Sequence, residues 1–152
     1  MQYVEVEVDT ETGLVKLVDQ LSGVDAGRVV NPLGLKNQIE SFYPGIDMAL
    51  MEETVFDPFD NRVLSASLID YKTRTFNEVS HHDMTILESN IDKENVFAFG
   101  AMGIAEPCMT PSGPAVTMAI YNAIGVEVLE YPYTPQKILD AIRSKKKRRI
   151  NR

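Results

Sequence analysis

Val4, Val6 and Val8 alternate with Glu5, Glu7 and Asp9. An apolar-polar period of two commits this segment to a strand with one face on a core and one in water. Thr10-Glu11-Thr12-Gly13 supplies turn chemistry, and Leu14-Val15-Lys16-Leu17-Val18 returns as the second strand of a hairpin. A hairpin alone is marginal, so the rest of the chain has to cover its apolar face. With 152 residues, 44% of them hydrophobic and 24% charged, there is enough chain for one domain with a core of its own.

Helical periodicity supplies that cover. After Asn31-Pro32, the residues Leu35, Ile39, Phe42, Ile46 and Leu50 recur at spacings of three and four, and Pro44-Gly45 interrupts them, which predicts a kink or two short helices. Ser112-Gly113-Pro114 opens a helix with Val116, Ile120 and Ile124 on one face and Gly125 as its left-handed cap. Thr134-Pro135 starts a last helix with Ile138, Leu139 and Ile142 facing inward. Further strands are expected at Thr54–Phe56 and Val63–Tyr71 around the turn Asp57–Asn61, at Met84–Leu87 and at Val126–Leu129. The fold class is α+β, a mixed or antiparallel sheet with packed helices.

Charge divides the chain unevenly. Residues 143–152 carry seven basic side chains and no acid, leaving the first 142 with eight bases against 22 acids, a balance of −14. We therefore read residues 1–142 as the domain and 143–152 as a flexible basic tail. An acidic body argues against nucleic-acid binding. No apolar run of spanning length and no basic-then-apolar leader at Met1 are visible, so the expectation is a cytoplasmic protein without a membrane segment. Cys108 is the only cysteine, which excludes an internal disulfide and any iron–sulfur or zinc site built on several thiolates of this chain.

Chemistry concentrates in Phe99-Gly100-Ala101-Met102-Gly103-Ile104-Ala105-Glu106-Pro107. Gly100 and Gly103 permit close approach of the backbone to a ligand, and Pro107 biases Glu106 toward an extended conformation that presents its acid in one direction. Other constellations are weaker. His81-His82-Asp83 offers three potential ligands, but adjacent histidines on a strand point to opposite sides. Carboxylate pairs such as Glu106 with Asp70, or Glu52 with Glu53, have no fixed separation. There is no phosphate-binding Walker loop, no three-glycine dinucleotide fingerprint and no Gly-x-Ser-x-Gly elbow.

In order and spacing, these motifs resemble the C-terminal part of the molybdopterin-binding large subunit of the xanthine dehydrogenase and aldehyde oxidase family, the molybdenum hydroxylases. The resemblance runs through Val4–Gly13, Asp25–Pro32, Gln38-Ile39-Glu40, Asp70-Tyr71-Lys72, the Glu106 loop, Ala119–Val126 and Leu129–Pro135. It implies that Glu106 is the active-site base, taking a proton as oxygen is delivered to an electrophilic carbon and two electrons pass to molybdenum. It also implies that Gln38 lies near the molybdenum site and that Gly100, Ala101 and Gly103 form a backbone wall of the pocket, with no metal ligand from this chain. The substrate implied is a purine, another N-heteroaromatic or an aldehyde. The molybdenum–molybdopterin cofactor would be shared with an upstream molybdopterin-binding polypeptide, with iron–sulfur centres and FAD carried only by partner subunits.

Departures from the family pattern stand beside this. Met102 and Ala105 replace a lysine and a glycine, and Ser41-Phe42 and Tyr43-Pro44-Gly45 replace a glycine pair and a second Gln-Gly. Cys108 reads as a small buried hydrophobe, with a reactive thiol as the alternative. Two functional readings remain open at this stage. One is a fragment or split subunit of a molybdenum-dependent oxidoreductase, inactive by itself; the other is a non-catalytic assembly module that keeps the fold, with Glu106 an inert remnant.

Overall fold

The structure, a computed structural model, describes residues 1–40, 42–78, 81–88 and 98–150. Ser41, one of the departures noted above, and Arg152 of the basic segment lie outside the described residues. The hairpin forms as the alternation requires: β1 (Gln2–Val8) pairs antiparallel with β2 (Val15–Asp25). Its turn is organised by Asp9, whose carboxylate accepts from the Glu11 amide at 2.8 Å and the Thr12 hydroxyl at 2.7 Å. These bonds, the hydroxyl's first, hold the Asp9 carboxyl below its ordinary value.

β3 (His81–Leu87) lies parallel to β2 with Gln20 opposite His82, so the sheet is mixed, in the order β1-β2-β3. The helical pattern from Pro32 divides into α1 (Pro32–Glu40) and α2 (Tyr43–Leu50), with Pro44 in the first turn of α2, where a proline removes no helical hydrogen bond. α3 (Ala105–Met109) precedes α4 (Ser112–Ile124), which stops at Gly125 with φ of 63° and packs on β1 and α2. α5 (Pro135–Ile150) closes the chain. Its helix continues into the segment expected as a flexible tail, and Lys145 Nζ donates to the carbonyl of Ile124 at 2.7 Å, capping the end of α4.

The main core gathers Val4, Leu17, Phe42, Ile46, Val116, Ile120 and Ile138 between the sheet and α2, α4 and α5. Fully buried side chains of this size each contribute about 1.5–3 kcal/mol. A smaller cluster of Ala26, Leu35, Ile39 and Cys108 sits under α1 and α3.

Three sequence expectations are corrected. The strand pair at 54–71 is reduced to one bridge, Phe56 with Val63, and residues 67–70 form a turn. Its apolar residues Val55, Phe56, Val63, Leu64, Leu68 and Ile69 are exposed, so no buried face rewards extending the ladder. Val126–Leu129 is not a strand: Val126 and Val128 pack against the main core with no ladder partner among the described residues. Glu106 is helical instead of extended, because Pro107 occupies the first turn of α3, where its missing N–H costs nothing and the preceding residue is drawn into the helix.

The two histidines of β3 face opposite ways, as the strand period requires. His81 is exposed beside Asp19 at 3.3 Å, while His82 packs on the Phe42 ring at 4.3 Å and lies 3.0 Å from the Ser22 hydroxyl. Burial pushes the pKa of His82 below its ordinary value. The folded state thus holds this ring neutral, whereas the unfolded chain takes up the proton once pH drops below the normal histidine range. Stability from this group is present above about pH 6.5 and lost as pH falls through the lower, folded-state value. The urea midpoint of the chain should accordingly fall between pH 7.5 and 5.5, and His82→Gln should flatten that part of the profile. An unchanged slope in the variant would show that other groups carry it.

Candidate functional site

Asp25 to Pro32 and the glycine-bearing loop are joined through their backbones. Arg28 N–H donates to the Gly100 carbonyl at 2.8 Å, Met102 N–H donates to the Ala26 carbonyl at 3.0 Å, and Gly27 and Ala101 form a bridge. This approach is possible only without a side chain at residue 27. Gly27 has φ of 63°, and a Cβ there would collide with the Gly100 oxygen. Gly100 itself is buried with φ of 73°.

Beside this join opens a shallow pocket of about 200 Å³. Gln38 from α1 and Ala101 and Met102 from the loop line it, together with Arg28, Asn31 and Gly34. Asn31 fixes its own stretch of wall by accepting the Gly34 amide at 3.0 Å across the first turn of α1. Two expected site segments, more than sixty residues apart in sequence, are therefore neighbours in the fold. Sequence reasoning did not name Arg28 and Asn31 as site residues: both lie in the Asp25–Pro32 segment that carries the family resemblance, but Asn31 reads as the start of a helix and Arg28 is given no role.

The remaining expected residues lie beyond this pocket's lining. Gly103 is exposed, and a Cβ added there would meet nothing within 4 Å. Glu106 is exposed in the first turn of α3, and its carbonyl accepts from the amide and the hydroxyl of Thr110, each at 2.9 Å. Cys108 is buried, and that burial raises its thiol pKa, disfavouring the reactive thiolate. Asp70 accepts the Ser67 hydroxyl in a surface turn, and Tyr71 donates to Glu52 at 2.7 Å. Among the described residues, no group of three or more histidine, cysteine, aspartate or glutamate side chains is placed to hold a metal ion.

Residues 1–80 match the family described as the molybdopterin cofactor-binding domain. The chain is 33% identical over 138 residues to the gamma subunit of the 6-hydroxypseudooxynicotine dehydrogenase complex of Paenarthrobacter nicotinovorans, covering 89% of this chain and 17% of that one. It is 34% identical over 143 residues to a probable xanthine dehydrogenase subunit of Bacillus subtilis, covering 91% and 18%. The aldehyde oxidoreductase from Desulfovibrio gigas superposes with a TM-score of 0.80 at 26% identity, over 92% of this chain and 15% of that one. The chain belongs to the molybdopterin cofactor-binding domain family of the molybdenum hydroxylases. It spans less than a fifth of the length of these relatives.

In size the pocket suits part of a cofactor site and not a whole one. At about 200 Å³ it is smaller than the ~300–1,000 Å³ of complete small-molecule sites. Its lining is mostly apolar, with Val29, Leu35, Met102 and Ile104 among it, and Arg28, Asn31 and Gln38 are its charged and amide side chains. No helix among the described residues is long and apolar enough to cross a membrane.

Proposed function

We propose that this chain supplies one wall and the general base of a molybdenum hydroxylase active site acting on a purine, another N-heteroaromatic or an aldehyde. The observation that carries the reading is the backbone join of Ala26–Arg28 to Gly100–Met102 beside Gln38, which assembles separate family motifs into one surface. When bound, the molybdenum cofactor supplies two-electron oxidation of the substrate carbon. Gln38 and the backbone of Ala101 would hold the cofactor's edge from the pocket, with Gly100 and Gly103 on either side of Ala101 completing the backbone wall. Glu106, at the far end of the same loop, accepts a proton on a carboxylate oxygen as the substrate is hydroxylated.

An upstream molybdopterin-binding polypeptide completes the site, and iron–sulfur and flavin centres in partner subunits carry the electrons away. The relatives support this reading, since one is named as a subunit of a dehydrogenase complex and another as a dehydrogenase subunit. The isolated chain is inactive because the pocket is only a partial wall. A second reading, the non-catalytic assembly module, draws on Glu106 standing exposed outside the lining of the Gln38 pocket.

Affinity purification from the native host, with molybdenum analysis and mass identification of co-purifying chains, separates the two. The hydroxylase reading requires a molybdopterin-binding chain, an iron–sulfur protein and stoichiometric molybdenum. A metal-free, partnerless protein would contradict it.

A further inference from the structure

α3 has five residues, too few to be stable as an isolated helix, so the direction in which it presents Glu106 depends on what grips it from outside. At its N-terminal end the N-cap residue Ile104 packs half-buried against the Ala26, Leu35 and Ile39 cluster, and the fully buried grip is at the C-terminal end. The Cys108 side chain is buried with Ala26, Leu35 and Ile39. The Met109 carbonyl lies so close to α2 that a Cβ at Gly45 would come within 2.6 Å of it. The last carbonyls of a helix have no partner within it and need one elsewhere. The Cys108 carbonyl accepts from Gln2 Nε2 of β1, with the Ser112 hydroxyl a longer second donor at 3.4 Å. The other end of the same amide is also engaged, because the fully buried Ser112 hydroxyl donates to Gln2 Oε1 at 2.8 Å.

Both ends of one side-chain amide thus bind the α3–α4 junction, joining residues more than a hundred positions apart. We propose that Gln2 is a positioning residue for Glu106, fixing the exit of α3 so that its first turn holds the carboxylate in one orientation. The inference rests on the reading of Glu106 as the base. Gln2 touches neither substrate nor cofactor in this role; it acts through α3.

Gln2→Met keeps the length of the side chain and removes both hydrogen bonds. In the full chain, amide hydrogen exchange at Cys108, Met109 and Thr110 should accelerate about tenfold, the size of one lost hydrogen bond, while amides of residues 116–124 keep their wild-type rates. Gln2→Glu, which retains an acceptor for Ser112 but no donor for Cys108, should give the same local acceleration. In the assembled enzyme, Gln2→Met should lower kcat with KM unchanged. Unchanged exchange in α3, or acceleration shared equally with residues 116–124, overturns the positioning role. Retained turnover in Glu106→Gln overturns instead the base reading on which the proposal rests, and the exchange experiment is independent of that result.

Discussion

In the assembled enzyme, Glu106→Gln is expected to lower hydroxylation at least about a hundredfold, the usual contribution of a general base. Cofactor content and subunit assembly should stay at wild-type levels. The amide is nearly isosteric with the carboxylate, and Glu106 is exposed, so the substitution removes basicity without disturbing packing. The α3 backbone is held through the Glu106 carbonyl and Thr110, which the change does not alter. Steady-state turnover with the metal content measured on the same preparation checks this. Activity within a few-fold of wild type would leave Glu106 an ordinary surface acid and favour the assembly-module reading.

The largest expected loss of stability comes from a residue remote from that loop. Asp47 on α2 and Arg74 form a buried pair, with side chains only 8% and 6% exposed. One carboxylate oxygen accepts from Arg74 Nε at 3.1 Å and the other from the Arg74 amide at 3.0 Å. The guanidinium also lies over the Tyr43 ring at 5.6 Å, while its buried Nη1 has no hydrogen-bond partner among the described residues. Removing the carboxylate leaves a desolvated cation with little to offset it. Asp47→Ala should therefore cost about 3–5 kcal/mol, the range for breaking a buried ion pair from one side.

That is a large fraction of the ~5–15 kcal/mol available to a domain of this kind. Asp47→Asn, which keeps an acceptor for the Arg74 amide, should cost less. Urea unfolding of the three chains tests both statements, and a loss below about 1 kcal/mol for Asp47→Ala would show that the pair relaxes into water when broken.

Much of the scaffold was legible because its signals are local. The Val4-Val6-Val8 alternation, the Asn31-Pro32 and Thr134-Pro135 starts and the Gly125 stop each depend on a few neighbouring residues, and each forms where expected. The failures at 54–71 and 126–129 share one cause. A strand needs a partner edge as well as a pattern; the apolar residues of the first segment are exposed, and Val126 and Val128 of the second pack against the main core. At Pro107 two local rules competed, and the rule tolerating proline in a first turn prevailed over the rule disfavouring a helical residue before it.

For the candidate site, the sequence by itself determined which residue types were present: the carboxylate of Glu106, the amide of Gln38 and the glycines that let two backbones meet. Only the tertiary structure decided which of them share a surface. The join of Gly27 to Gly100, the placement of Arg28 beside Gln38, the pairing of Asp47 with Arg74 and the grip of Gln2 on Cys108 all link residues far apart in the chain. The physical reason is that periodicity and capping act over a few residues, whereas these contacts are made only when the sheet and helices close over a common core.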